Sequence, residues 1–164
     1  MKKEEINWII DNIEYIEKLK RDIKFDISEF SRDECEERSF MILVDKEDFC
    51  CELDAFIILI EKLEYEEQEW GQELFLDNKN RIETFKKFLF TGLNNMFVKQ
   101  IPYKEFEERV NQYLNGMDYL NAYSMFRCKT QNADITCLFD DWNLYQVFGV
   151  SEKNYFIYLW YTTA

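Results

Sequence analysis

Apolar residues recur at three- and four-residue spacing from the start of the chain. Ile6, Ile9, Ile10, Ile13, Ile16 and Leu19 are separated by Glu, Lys and other polar residues. That period puts one buried stripe on a helix of about sixteen residues. Trp8 lies off the stripe, at a domain edge or in solvent. Residues 26 to 38 begin poorly for a helix, but Ser31-Arg32-Asp33-Glu34 has the form of a capping box and predicts a short helix there. Phe40-Met41-Ile42-Leu43-Val44 has the length of a buried strand, and Lys46-Glu47-Asp48 reads as a turn or helix start.

A long helix is predicted from Phe49 to Trp70 or beyond. Phe56, Ile60, Leu63, Trp70 and Leu74 share one side, and Glu61, Glu64, Glu66 and Glu69 fall on flanks that would be solvated. Glu67 falls close to the apolar stripe and must reach water or a basic neighbour. Asp77-Asn78-Lys79-Asn80 breaks the pattern, and Asn80 with Glu83 resembles the cap of a helix carried to Phe97 by Ile82, Phe85, Phe88, Leu89, Leu93 and Met96. Pro102 suits the first position of another helix and Gly116 its end, with Phe106, Val110, Tyr113 and Leu114 on the apolar side.

Beyond Gly116 the period changes to short aromatic and β-branched segments: Ile135 to Phe139, Leu144 to Phe148 and Tyr155 to Tyr161. The last is bulky on both faces, so it is a central strand or one covered by helices. A second subunit would cover it equally well, which leaves a homodimer open. The expected fold class is α+β, with four to five helices in a layer packed on a small C-terminal antiparallel β-sheet. Residues 1 to 164 read as a single compact acidic domain.

Composition supports a folded domain, since 47% of residues are hydrophobic and 18% aromatic, far from the profile of a disordered acidic tail. Met1-Lys2-Lys3 leads into polar sequence instead of an apolar run, and Ala55 to Ile60 is too short to span a bilayer. A cytoplasmic, membrane-free protein is the expectation. The five cysteines, Cys35, Cys50, Cys51, Cys128 and Cys137, form no CxxC pair and are read as reduced core fillers.

Charge sharpens the picture. The net charge is −13, from 33 acidic and 20 basic residues, and the excess is local. Residues 25 to 77 hold 18 acidic and 4 basic side chains, net −14, whereas residues 78 to 109 hold 4 and 7, net +3. Such a field repels phosphate backbones and anionic membranes and steers basic proteins toward it, so direct nucleic-acid binding is not expected.

Catalytic equipment is sparse. The absence of histidine excludes histidine-dependent triads and histidine-ligated zinc. Four glycines, Gly71, Gly92, Gly116 and Gly149, cannot build a phosphate-cradling loop. Carboxylate pairs remain: Asp45 with Asp48, Glu64 with Glu67, and Asp140 with Asp141. Any of them could hold a hard cation or divide acid and base roles. Asp140-Asp141 reads more simply as turn sequence, and Glu61 to Glu73 as a solvated helix face.

No cofactor or metal is therefore expected. The expected function is that of an acidic protein-binding inhibitor, similar in size, acidity and aromatic content to bacterial toxin-immunity proteins. It would occlude the active or substrate-binding surface of a basic toxin or nuclease. The residues expected to meet the partner are Asp45, Glu47, Asp48, Glu61, Glu64, Glu66, Glu67, Glu69, Trp70 and Glu73. A non-catalytic adaptor or regulatory scaffold is the alternative, and a carboxylate-dependent metal enzyme the next.

Overall fold

The computed structural model describes residues 1–19, 22–32, 36–67, 92, 95–115, 117 and 122–163. Six strands form one antiparallel sheet: β1 (Asp26–Arg32), β2 (Glu37–Asp45), β3 (Lys99–Ile101), β4 (Asp134–Asp141), β5 (Leu144–Val150) and β6 (Asn154–Thr162). Their spatial order is β1-β2-β6-β5-β4-β3. Four α-helices have described bounds: α1 (Lys3–Asp11), α2 (Glu52–Glu67), α3 (Tyr103–Leu114) and α4 (Ala122–Thr130). The α+β class is as expected, but the sheet is not only C-terminal. The N-terminal hairpin β1–β2 joins it through β6, in the register Phe40↔Leu159 and Ile42↔Ile157.

Alternation along the strands explains why helices cover both faces. Phe40, Ile42 and Val44 of β2, with Ile157 and Leu159 of β6, point into one cluster with Ile6 and Ile9 of α1 and Phe56, Ile57, Ile60 and Leu63 of α2. Met41, Leu43, Phe156, Tyr158 and Trp160 point the other way, toward Phe106, Val110 and Leu114 of α3 and Phe126 of α4. Each such side chain removed from water contributes about 1.5–3 kcal/mol. The strand read as bulky on both faces is thus central and covered by helices, without recourse to a second subunit.

Several local expectations give way to tertiary structure. The N-terminal stripe is not one continuous helix. Asn12 closes α1 by donating its side-chain amide to the Trp8 carbonyl at 2.9 Å, and the chain continues as a 3-10 helix, Ile13–Lys18. Asn commonly competes for backbone groups in this way. Ser31 and Arg32 do not cap a helix. They end strand β1, which pairs with β2 from Asp26↔Leu43 to Arg32↔Glu37, while residues 33–35 lie outside the described residues. Of the helix predicted from Asn80 to Phe97, only Gly92 and Asn95 are described as helical, and Met96 to Val98 are not. Pro102 stands one position earlier than expected, as the N-cap of α3. Helix α4 was not foreseen, because only Phe126 and Thr130 of its described side chains are buried and the stripe is too short to show a period.

Gly149 makes one packing arrangement possible. It sits opposite Phe156 in the β5–β6 register, and a Cβ there would stand 2.0 Å from Phe156 Cζ. The Phe156 ring lies across the bare backbone and meets Phe106 of α3 and Phe126 of α4, with ring centroids 5.8 and 5.4 Å away. Gly149→Ala should therefore push that ring into both helices and cost about 1–3 kcal/mol. In urea unfolding the loss should shrink when Phe156→Leu is already present; equal loss in both backgrounds would contradict this packing.

Candidate functional site

Among the described residues, many carboxylates of the acidic stretch are folded inward or paired. Helix α2 is buried on all sides between Asp54 and Glu61, as expected of a helix that is apolar all round. Glu61 and Glu64 are only 6% and 7% exposed, so the reading of these two as a solvated flank is overturned. Both carry polar or ionic interactions. Glu66 is half-buried and paired with Lys62 at 2.5 Å, and Glu52 with the N-terminal amine at 2.7 Å. Asp26 meets Lys129, Glu29 meets Arg38 at 3.7 Å, and Glu37 meets Arg32 at 3.4 Å. Burial of carboxylates next to partners follows from electrostatics, because an isolated ionised group in the core is costly.

Other described carboxylates of this stretch stay in water, Glu29 and Glu36 among them. Asp45 and Glu47 are exposed and Asp48 half-buried, around the 3-10 turn that leads into α2. Asp45 is tied into the fold by accepting a hydrogen bond from Asn154 Nδ2 at 3.0 Å. The side chain of Glu67 is not described, and Glu69, Trp70 and Glu73 lie outside the described residues. The structure therefore gathers Asp45, Glu47 and Asp48 at one end of the sheet and separates them from buried Glu61 and Glu64.

At that end, Tyr15 donates to Asp54 Oδ1 at 2.6 Å and so joins the 3-10 helix to α2. The hydrogen bond to the Asp54 carboxylate, reinforced by burial, pushes the Tyr15 phenol up to about 12. The cysteines also depart from expectation: Cys137 is buried, but Cys50, Cys51 and Cys128 are exposed free thiols. No described helix is long and apolar enough to cross a membrane, and no group of three His, Cys, Asp or Glu among the described residues is placed to hold a metal ion.

A larger concave site among the described residues is at the opposite end of the sheet, about 27 Å along β2 from Asp45 at the usual rise per residue. Here a cleft of about 630 Å³ lies between the C-terminal half of α3, the β4–β5 hairpin and the ends of β1 and β2. Two of its lining residues, Trp160 and Asp140, belong to one row across the sheet, in which Ser39, Trp160, Tyr145 and Asp140 are successive partners on β2, β6, β5 and β4. Tyr113 of α3 stacks on Trp160, with ring centroids 4.0 Å apart and planes 11° from parallel. Arg109, one turn earlier, grips Asp140 with both nitrogens, at 2.8 and 3.2 Å, and lies over the Tyr145 ring at 5.4 Å. Hydrogen bonds to Tyr113 and Asp140 hold this guanidinium above its already high value, against the opposing effect of burial.

A β-bulge aims Asp140 at this site. Cys137 pairs with Val147 but Phe139 pairs with Gln146, so Leu138 is an extra residue. Leu138 and Phe139 consequently both pack toward the α2 cluster, and Asp140 emerges under α3 instead of on the far face. Asp140 and Asp141 are therefore strand residues, and the turn itself is Trp142-Asn143. Read in sequence as a carboxylate pair, the two are in fact divided. Arg109 engages Asp140, while Asp141 is exposed with no ion-pair partner among the described residues.

Two polar atoms at this end lack a partner among the described residues, Trp160 Nε1 and Tyr145 Oη, whereas Glu37 Oε2 is the oxygen that pairs with Arg32. Burial pushes the Tyr145 phenol far up, so it remains a neutral hydroxyl. It likewise pushes the Cys137 thiol up to about 11. The cleft is flanked by Trp142, the most exposed large apolar side chain among the described residues at 78%. Comparison of the chain with protein-family models, with curated proteins and with solved structures finds no match.

The Tyr15–Asp54 bond generates a pH prediction. A phenol raised from about 10 in the unfolded chain to about 12 in the fold contributes stability that is complete below pH 10 and lost as pH rises toward 12. Tyr15→Phe should lower stability near neutrality yet flatten its decline between pH 10 and 12. Urea midpoints taken across that range test this, and an unchanged alkaline slope would show that Tyr15 does not supply it.

Proposed function

We propose that this chain is a non-catalytic protein-binding inhibitor, acting in the bacterial cytoplasm as an immunity protein that covers the active or substrate-binding surface of a basic toxin or nuclease. The observation that carries the reading is Trp142. It is 78% exposed at the tip of a two-residue hairpin whose strands lie within the sheet, and two carboxylates precede it in the chain. An exposed indole on a rigid support, near Arg109 and Tyr113, has the composition of a binding hot spot. The net charge of −13 favours a basic partner and fast capture.

This reading moves the docking surface from the α2 carboxylates to the cleft end of the sheet. Asp45 and Glu47 keep a role in steering, since exposed charges attract a partner without touching it. The adaptor alternative shares the same surface and differs in outcome: a scaffold would leave its partner active when bound.

The test starts with affinity capture from the native cell and continues with purified partner. Trp142→Ala should weaken binding by about ten- to a hundredfold, mainly by faster dissociation. Reversing the charge of Asp45 and Glu47 together should slow association about two- to fivefold at 50 mM salt and have little effect at about 500 mM. Binding should also suppress the partner's activity. Capture of no basic protein, or of one whose binding ignores Trp142, would defeat the proposal.

A further inference from the structure

Cys50 and Cys51 are adjacent in the chain, both exposed and both free thiols, where the chain leaves the sheet and enters α2. Cysteine is among the most buried residue types, and Cys137 follows that habit. Two exposed in succession therefore have no packing role, and their chemistry is the property left to explain them.

The structure gives the two thiols different surroundings. Cys51 directly precedes the first residue of α2, and its carbonyl accepts from the Ala55 N–H at 3.4 Å, which makes it the N-cap. Partial burial of its sulfur pushes the thiol up, and a hydrogen bond to the Asp54 carboxylate adds to this, while the backbone N–H groups of Asp54 and Leu53 act the other way. The sulfur thus lies over the first N–H groups of the helix, where a serine oxygen sits in an ordinary cap. Asp54 is only 8% exposed and is fixed from its other side by the Tyr15 hydroxyl at 2.6 Å. Cys50 stands one residue outside the helix.

This division suits thiol–disulfide exchange. A thiol held protonated is a slow nucleophile toward a reagent in solution, so the first attack falls to Cys50. Cys51 reacts once the target sulfur is on the neighbouring residue, where proximity offsets a small thiolate fraction. A bond closed between adjacent residues is also easily reopened. Consecutive Cα atoms are about 3.8 Å apart across a trans peptide, less than the roughly 4.4–6.8 Å that disulfides usually span. Strain of that kind makes a disulfide readily reduced.

We propose that Cys50 and Cys51 are a reversible oxidation site, which takes a small-molecule disulfide of the glutathione class as co-reactant and closes into a disulfide between the two residues. The Cys50 thiolate attacks one sulfur of the co-reactant. A Cys50–glutathione bond forms, the original disulfide breaks and one glutathione thiolate leaves. Cys51, as its thiolate, then attacks Cys50 Sγ; the Cys50–Cys51 bond forms and the second glutathione thiolate leaves. The cysteine pair is oxidised by two electrons, the co-reactant is reduced to two glutathiones, and the two thiol protons pass through solvent to the departing thiolates.

The test applies oxidised glutathione to the whole protein and follows it by peptide mass mapping. Exposed Cys128, flanked by Arg127 and Lys129, has no cysteine beside it in sequence and serves as the comparison. Under conditions in which Cys128 retains a glutathione adduct, the peptide with Cys50 and Cys51 should lose two hydrogens and carry no adduct. Dithiothreitol should return both hydrogens. Cys51→Ser keeps a capping side chain, so the fold is preserved, and it should stop the reaction at a stable glutathione adduct on Cys50.

A stable adduct on Cys50 in the unaltered protein, a bond from either residue to any other cysteine, or no reaction at this pair while Cys128 is modified would each overturn the proposal. None of these outcomes involves a protein partner, so the capture experiment is judged separately.

Discussion

Strand β6 is hydrophobic on both faces, and the need to remove both from water organises the fold. Ile157 and Leu159 require a cover on one side; Phe156, Tyr158 and Trp160 require another. A sheet with one wet face cannot satisfy that demand. The strand is consequently paired on both edges, by β2 and β5, and helices lie above and below it. Bare backbone at Gly149 lets Phe156 lie flat enough for α3 and α4 to approach, so the position of α3 over the cleft end is set by the core. Binding geometry at Arg109 and Tyr113 is thus inherited from packing two turns away.

Electrostatics follows the same hierarchy. A chain with 33 acidic residues would be expected to spread them over its surface, yet the strongest concentration coincides with α2, whose place in the core is dictated by Phe56, Ile57 and Ile60. The helix carries some carboxylates in with it. Tyr15 then satisfies Asp54, and Glu61 and Glu64 find partners of their own. Net charge from composition overstates how much negative potential a partner can meet, because ion pairs and burial remove part of it.

Much of the architecture could be read from residue pattern. The runs Phe40 to Val44 and Tyr155 to Tyr161 are buried strands, and Phe106, Val110 and Leu114 form the inner side of a helix, as their spacing predicts. Strand β1 was hidden because local capping signals at Ser31 and Arg32 compete with pairing to β2, and only the folded partner decides between them. The cleft was hidden for a related reason. Arg32, Arg109, Asp140 and Trp160 are far apart in sequence, and their convergence depends on strand order and on a bulge that no short motif announces. The aromatic residue in the Asp140-Asp141-Trp142-Asn143 turn was the available clue, since an indole at a hairpin tip has no core to fill.

That bulge makes the site depend on counting as much as on identity. Leu138 shares a face with Phe139, so the bulge absorbs one residue and returns Asp140 to the α3 side. Drawn into regular alternation with no residue removed, β4 would place the Phe139 ring under α3 where a carboxylate now meets Arg109. The charged lining at this end of the sheet is therefore held by an irregular step at Leu138, a residue that itself lies in the core on the other face.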